Sequence, residues 1–142
     1  TPRRSGAVAP DVVARKLGYL RSLVKDLRRH AGAGPEEIAR EHYRVERILE
    51  LLVTAAADLL THLLAEEGEL PGTYRETFRR AGESGLIGPE LSERLQKAAG
   101  MRNVLVHLYE EIDLGIVSEA VDDALQDFPT LITALEPRGR GR

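Results

Sequence analysis

The residues with the clearest capacity for chemistry lie in one short segment, 101–113, which reads Met-Arg-Asn-Val-Leu-Val-His-Leu-Tyr-Glu-Glu-Ile-Asp. In it, Arg102, Asn103, His107 and Tyr109 surround an apolar Val-Leu-Val insert. An imidazole can accept and donate protons near neutral pH. A guanidinium can hold phosphate oxygens and stabilise the charge of a phosphorane. Such a pair suits cleavage of RNA by its own 2′-hydroxyl without a metal ion.

The same segment has a purely structural interpretation, a buried histidine and an arginine salt bridge, and the residue types alone leave both open. Spacing adds a constraint, because residues five apart on an ideal helix point in directions about 140° apart. For Arg102 and His107 to face one site, the helix should end near His107 or present a broad wall to a cleft.

The elements that must position this segment are helical. From Asp11, a plausible N-cap, apolar residues recur at spacings of three and four up to a stop at Gly32–Pro35. The apolar residues of this first helix, which form one stripe along it, are Val13, Leu17, Leu20, Val24 and Leu27. A second helical pattern begins at Pro35 and runs to about Glu67, and the helix can break at 41–43. This second pattern is apolar on nearly every side.

A helix that is apolar all round must be enclosed on nearly every side. It can be the central helix of a monomeric bundle, or it can present one face to a second subunit. The second alternative predicts that Leu52, Leu59 and their neighbours include contacts across a two-fold interface. The periodicity leaves both alternatives open.

The remaining sequence predicts three further helices and no strand, because no period-2 pattern of useful length occurs. They are a short helix at 74–81, a helix from Pro89 to about Val106, and a last helix that begins at Asp113 or Ser118 and stops at Pro137. The predicted fold is therefore an all-α bundle of about five helices.

Composition limits the classes of protein that remain. The chain has 142 residues, a net charge of -3 and no cysteine, which excludes disulfide frameworks, thiolate metal sites and cysteine nucleophiles. We expect one helical domain at 11–136, a flexible leader at 1–10 and a disordered basic tail at 137–142. The net charge does not favour a generic nucleic-acid coat protein.

The second helix also carries polar residues. Thr54, Asp58 and His62 interrupt its apolar stretch and predict that it does not span a membrane. With no apolar signal segment near Thr1, we expect a cytoplasmic protein. Asp58 and His62, one turn apart, predict a polar contact that is either structural or part of a site, and they are too few for a metal centre. His30 and His42 are expected to be solvated.

Beyond these local signals, the pattern Arg102-Asn103-x-x-x-His107-x-Tyr109 resembles the motif of the HepT toxins, a branch of the HEPN superfamily. The resemblance extends in order over roughly residues 11–136. It includes the segments Val45-Glu46-Arg47-Ile48-Leu49, Ala57-Asp58-Leu59-Leu60-Thr61-His62, Tyr74-Arg75-Glu76-Thr77-Phe78, and Leu95 to Asn103.

The resemblance implies a homodimeric HEPN bundle whose two Arg–His motifs line a shared cleft. It implies a toxin of a toxin–antitoxin system, an endoribonuclease that needs neither metal nor cofactor. By position, Arg102 would hold the scissile phosphate, His107 would be the general base or acid, Asn103 would orient the site, and an acid is expected at Asp58. Tyr109 would accept AMP from an MntA-type nucleotidyltransferase antitoxin, which silences the toxin.

Two other functions stay open at this point. One is a non-catalytic HEPN partner that positions nucleotide or RNA for the transferase, and the other is a purely structural helical dimer. The non-catalytic partner can be distinguished from the nuclease by comparing the toxicity of the expressed wild type with that of a His107→Ala variant.

Overall fold

The computed structural model describes residues 9–106 and 113–140, and within these ranges the chain contains five helices and no strand. All five belong to one bundle in which α2 contacts each of the other helices. This confirms the all-α prediction with one short helix. The helices are α1 (Pro10–Arg28), α2 (Pro35–Ala65), α3 (Tyr74–Glu83), α4 (Pro89–Val106) and α5 (Leu114–Arg140).

The stripe predicted on the first helix forms one side of the core. All five of its apolar residues are buried, and α1 packs along both α5 and α2. A spacing of three and four residues places side chains on one face of a helix, so that α1 buries this face and leaves its polar face to solvent. The core is built mainly from aliphatic side chains, with Phe78 and Phe128 as its fully buried aromatics.

Helix α2 is continuous through 41–43 and lies at the centre of the bundle. Leu52 and Leu59 are completely buried within a single chain. The prediction that they contact a second subunit is therefore wrong, because packing against four neighbouring helices already covers them. The length and composition of α2 would allow a membrane span, but a central helix of a bundle has the same apolar character.

The helix ends decide one boundary that the sequence left open and correct two predicted ones. Asp113 caps α5, since its Oδ1 accepts a hydrogen bond of 3.1 Å from the Ile116 amide. At the other end, the prediction that α5 stops at Pro137 is wrong, because the helix continues to Arg140. Asp11 lies in the first turn of α1, and Ala9 occupies the N-cap position.

Packing against α1 explains the extension of α5. Arg21 of α1 donates a hydrogen bond of 2.8 Å to Glu136. One turn further, a Cβ added at Gly139 would lie 3.2 Å from the backbone of Ala14. A proline inside a helix removes one hydrogen bond and costs about 3 kcal/mol, and these contacts offset part of that cost.

The turn between α1 and α2 corrects a further expectation. His30 is buried rather than solvated, and its Nδ1 lies 3.3 Å from a carboxylate oxygen of Glu37 at the start of α2. Gly32 has a φ of 69°, a conformation that glycine adopts at low cost and that turns the chain back towards the bundle. His42 is also largely covered and lies 3.2 Å from Glu46.

Candidate functional site

The last turns of α4 bring the described part of the predicted motif to the protein surface. Ala99 and Leu105 are buried against the core. Between them, Arg102 is partly buried and Asn103 is exposed. The motif therefore begins where α4 passes from the core to solvent, which is the position that a site for a large polar substrate requires.

Side chains from two other helices surround Arg102. Its guanidinium carbon lies 5.2 Å from the centre of the Tyr74 ring at the start of α3, which is within the range of a cation–π interaction. Its Nη2 lies 3.8 Å from Oε1 of Glu50 on α2. The Arg102 side chain stays 26% exposed, so the guanidinium is held from two sides and still faces solvent.

One donor of Arg102 is unused. Its Nε is buried and has no hydrogen-bond partner within the described ranges. A buried polar group without a partner is uncommon in folded proteins and favours a ligand or a further group of the protein at this point. The arrangement leaves the guanidinium able to bind an anion.

The beginning of α3 explains why Tyr74 is well placed. Thr73 Oγ1 accepts a hydrogen bond of 3.0 Å from the Glu76 amide, and Glu76 Oε1 accepts one of 2.8 Å from the Gly72 amide. These two hydrogen bonds cap the first turn of α3. The hydrogen bond from Gly72, with help from the positive charge of Arg80, lowers the pKa of the Glu76 carboxyl. The cap therefore stays charged at neutral pH and positions the Tyr74 ring.

Asp58 lies away from this cluster within the subunit. Its Oδ2 accepts a hydrogen bond of 2.6 Å from Lys16 of α1, and its Oδ1 lies 3.5 Å from His62. The predicted contact between Asp58 and His62 is present. Within the subunit the Asp58 and His62 side chains are 47% and 52% exposed.

Neither Glu50 nor Tyr74 was identified as a site residue from the sequence. Tyr74 belongs to a segment that carries the family resemblance, and this was the one available signal. Nothing in the spacing of α2 distinguishes Glu50 from its other acids. His107 and Tyr109 lie outside the described residues, so their predicted roles are not tested by the structure.

Two depressions flank the end of α4. The larger, the α3–α4 groove, has a volume of about 580 Å³, which is within the range of small-molecule sites. Its lining is Thr61, Pro71, Gly72, Thr73, Tyr74, Arg75, Thr77, Ala99, Gly100 and Asn103. Asn103 and Tyr74 therefore connect this groove to the surroundings of Arg102.

The second depression, between α4 and α5, holds only about 70 Å³ and is too small for a nucleotide. Arg94 forms a short hydrogen bond to Asp127 at its edge. Burial raises the pKa of the Asp127 carboxyl, while the Arg94 guanidinium acts in the opposite direction. This ion pair joins α4 to α5 and has a structural role.

The described residues contain no candidate metal site. Within 9–106 and 113–140, no group of three or more histidine and acidic side chains is arranged to hold a metal ion. The chemistry that these ranges offer is that of a guanidinium, an amide and an aromatic ring.

Comparison with known proteins identifies the family. Residues 20–135 match the family described as Ribonuclease HepT-like. A tRNA nuclease HepT of Aphanizomenon flos-aquae is 35% identical over 88 residues, 61% of this chain and 60% of that protein. An mRNA nuclease HepT of Shewanella oneidensis is 27% identical over 129 residues, 89% of this chain and 97% of that protein.

Solved structures give the same result. A tri-AMPylated Shewanella oneidensis HEPN toxin in complex with MNT antitoxin has a TM-score of 0.79 at 26% identity, covering 89% of this chain and 98% of that one. The Bacillus subtilis cytosolic protein YutE shares the fold with a TM-score of 0.72 at 20% identity, over 96% and 97% of the two chains. The matched nucleases and the toxin complex support the predicted toxin endoribonuclease. With its helical bundle and its match over 20–135, the chain belongs to the ribonuclease HepT-like family.

Proposed function

We propose that this protein is the toxin of a toxin–antitoxin system and a metal-independent endoribonuclease that uses Arg102 and His107. The observation that carries the proposal is the Arg102 guanidinium, held by Tyr74 and Glu50 at the surface with a buried, unused Nε donor. The family and the names of the two nuclease relatives support the class of reaction.

In the proposed reaction, His107 accepts the proton of a ribose 2′-hydroxyl as that oxygen attacks the adjacent phosphorus. Arg102 binds the non-bridging phosphate oxygens and stabilises the additional charge of the phosphorane. The bond to the 5′-oxygen then breaks, and this leaving oxygen takes up a proton from an imidazolium. The products are a 2′,3′-cyclic phosphate and a free 5′-hydroxyl. Asn103, exposed beside Arg102 in the α3–α4 groove, would orient the RNA, and Asp58 remains a candidate supporting residue.

We propose that two copies form a dimer whose Arg–His motifs line one cleft. The exposed end of α4 supports a two-fold axis near the motif, because Val104, two residues after Arg102, is an aliphatic side chain that is 42% exposed. A symmetric contact at this point would bring the two motifs close together. The proposed location of the protein is the cytoplasm, where its RNA substrate is found.

The first experiment compares RNA cleavage by the wild type with that of Arg102→Ala and His107→Ala. Loss of general acid–base catalysis alone should lower the rate by about 10²–10⁴-fold, with helicity unchanged. Arg79→Ala is a suitable control, because Arg79 is an exposed arginine of α3 that pairs with Glu76 and Glu83. Activity that disappears with EDTA would contradict the mechanism. Full toxicity of His107→Ala would favour a non-catalytic role.

We further propose that a nucleotidyltransferase antitoxin of the MntA type silences the toxin by transferring AMP to Tyr109. The AMPylated state and the MNT antitoxin of the matched Shewanella oneidensis complex support this partner. One AMP would add a negative phosphodiester and a stacking base close to Arg102, and both would compete with RNA.

A Tyr109→Phe variant tests this regulation. We expect it to keep nuclease activity and to escape silencing by antitoxin and ATP, as measured by RNA cleavage and by peptide mapping of the modified residue. Tyr19→Phe, a change at another tyrosine that is 47% exposed, is the matched control. Modification of a different tyrosine, or full silencing of Tyr109→Phe, would contradict the assignment.

A further inference from the structure

We propose that the α3–α4 groove binds a nucleotide of the RNA next to the cleaved bond, and that Arg75 binds its phosphate. This inference rests on the proposed function and extends it from the catalytic pair to a substrate-binding subsite. It assigns a role to a residue outside the Arg–His motif.

The charge of the groove is the first argument. Among the described residues that line it, Arg75 is the only charged one, and no carboxylate of 9–106 or 113–140 lies beside it in the lining. Arg75 is exposed, and within the described part of the chain it has no hydrogen-bond or ion-pair partner. Its neighbours on α3 differ in this respect, because Arg79 and Arg80 are both paired with acids. The groove therefore contains one uncompensated positive charge.

The packing of Arg75 is the second argument. A Cβ added at Gly100 would lie 2.8 Å from Nη2 of Arg75, so the guanidinium lies against the backbone of α4 where no side chain stands. Glycine is unfavourable inside a helix relative to alanine. Here, because Gly100 has no side chain, the Arg75 guanidinium can occupy the space beside it. Gly100 and Asn103 are three residues apart and face the same side of α4.

Position relative to the catalytic residues is the third argument. The Tyr74 ring lines the groove and also lies under the guanidinium of Arg102. Arg75 follows Tyr74 directly in the sequence. Tyr74 thus contacts the arginine of the proposed cleavage site and is followed by the arginine that lines the groove.

These features match single-stranded RNA. Proteins bind such strands with positive charges that follow the phosphates, with aromatic rings, and with hydrogen bonds to bases and 2′-hydroxyls. Arg75 would supply the charge, the ring of Tyr74 a flat apolar surface, and Asn103 and Thr61 the hydrogen bonds. The anion would not need the amides at the start of α3, since Thr73 and Glu76 already cap that helix.

The test measures binding of a short single-stranded oligoribonucleotide of mixed sequence over a range of salt concentrations. His107→Ala protein is used throughout, so that the RNA stays intact. Each phosphate contact to a single strand contributes about 0.7 to the slope of log affinity against log salt. We expect Arg75→Ala to lower that slope by about this amount and to weaken binding about tenfold. Arg79→Ala removes the same charge one turn away and should leave the slope unchanged.

Two further measurements make the result specific. Gly100→Ala should weaken RNA binding without lowering the thermal midpoint, and it should have no additional effect in the Arg75→Ala protein. In proteins that retain His107, Arg75→Ala should raise KM for cleavage and leave kcat nearly unchanged, whereas Arg102→Ala should lower kcat.

Equal salt slopes for Arg75→Ala and Arg79→Ala, or no RNA binding at all, would overturn the inference. Normal RNA binding by Arg75→Ala together with a weaker complex with the antitoxin would show a protein-docking surface instead, and would also overturn it. Binding that depends on Arg75 in a protein that cleaves no RNA would refute the proposed nuclease and support the subsite. RNA cleavage that is unchanged by Arg75→Ala would support the proposed nuclease and refute the subsite.

Discussion

Two acids of the same helix, Glu50 and Asp58, have entirely different surroundings. Glu50 lies 3.8 Å from the Arg102 guanidinium of α4, whereas Asp58 accepts a hydrogen bond from Lys16 of α1. Eight residues on an ideal helix advance the chain by about 12 Å and turn it by about 80°. Two carboxylates of similar chemistry therefore contact different helices on different sides of the bundle.

This difference shows what the central position of α2 does. Every direction around the helix leads to a different neighbour, so that the function of an α2 residue depends on which neighbour it faces. One direction leads to the core, one to the candidate site and one to an exposed ion pair with α1. Substitutions on α2 can test each of these three directions separately.

A substitution on the side of α2 that faces the core should have the largest effect on stability. Leu52 is fully buried within one chain, and we expect Leu52→Ala to lower the free energy of unfolding by about 2–5 kcal/mol. Urea unfolding measures this change, and Leu70→Ala, at a leucine that is 85% exposed, serves as the control. The loss should not depend on protein concentration. A loss of stability that appears only at low protein concentration would indicate that Leu52 contacts a second subunit.

The direction towards Arg102 should affect catalysis. We expect Glu50→Gln to lower kcat about tenfold, equivalent to about 1.4 kcal/mol, because the guanidinium loses the carboxylate that orients it. KM should fall or stay constant, since a negative charge near the RNA phosphate has been removed. Steady-state cleavage assays separate the two constants.

Asp58→Asn is the matched control for Glu50→Gln, an equal change of charge on the same helix. Within the subunit its contacts are to Lys16 and His62, so we expect cleavage close to that of the wild type. A large loss of activity in folded Asp58→Asn would instead place Asp58 in the cleft of the proposed dimer, and would support its predicted supporting role.

The direction towards α1 should show the smallest effect. Lys16 and Asp58 form an ion pair that is 29% and 47% exposed, and exposed pairs contribute about 0.2–1 kcal/mol. A double-mutant cycle with Lys16→Met and Asp58→Asn, followed by urea unfolding at low and high salt, should give a coupling energy in this range that decreases with salt. A larger coupling that does not change with salt would contradict the exposed geometry.

Local patterns predicted much of the fold. The spacing of apolar residues located all five helices, because the period of a helix is imposed by its own backbone geometry. The ends were less predictable where other parts of the chain decide them. Pro137 is a strong local stop signal, yet α5 passes through it, because Arg21 and Ala14 of α1 pack against Glu136 before it and Gly139 after it. His30 is likewise buried by the turn between α1 and α2.

The candidate site divides in the same way. The sequence by itself determined the helical class, the family motif and the residue types that can perform the chemistry, since these depend on local order along the chain. Only the tertiary structure decided which groups surround Arg102 and which line the neighbouring groove. Glu50, Tyr74 and Arg75 come from two other helices, and their distances from α4 depend on how α2 and α3 pack against it. No periodicity within one helix carries that information, because a helix specifies the direction of its side chains but not the neighbour that each direction meets.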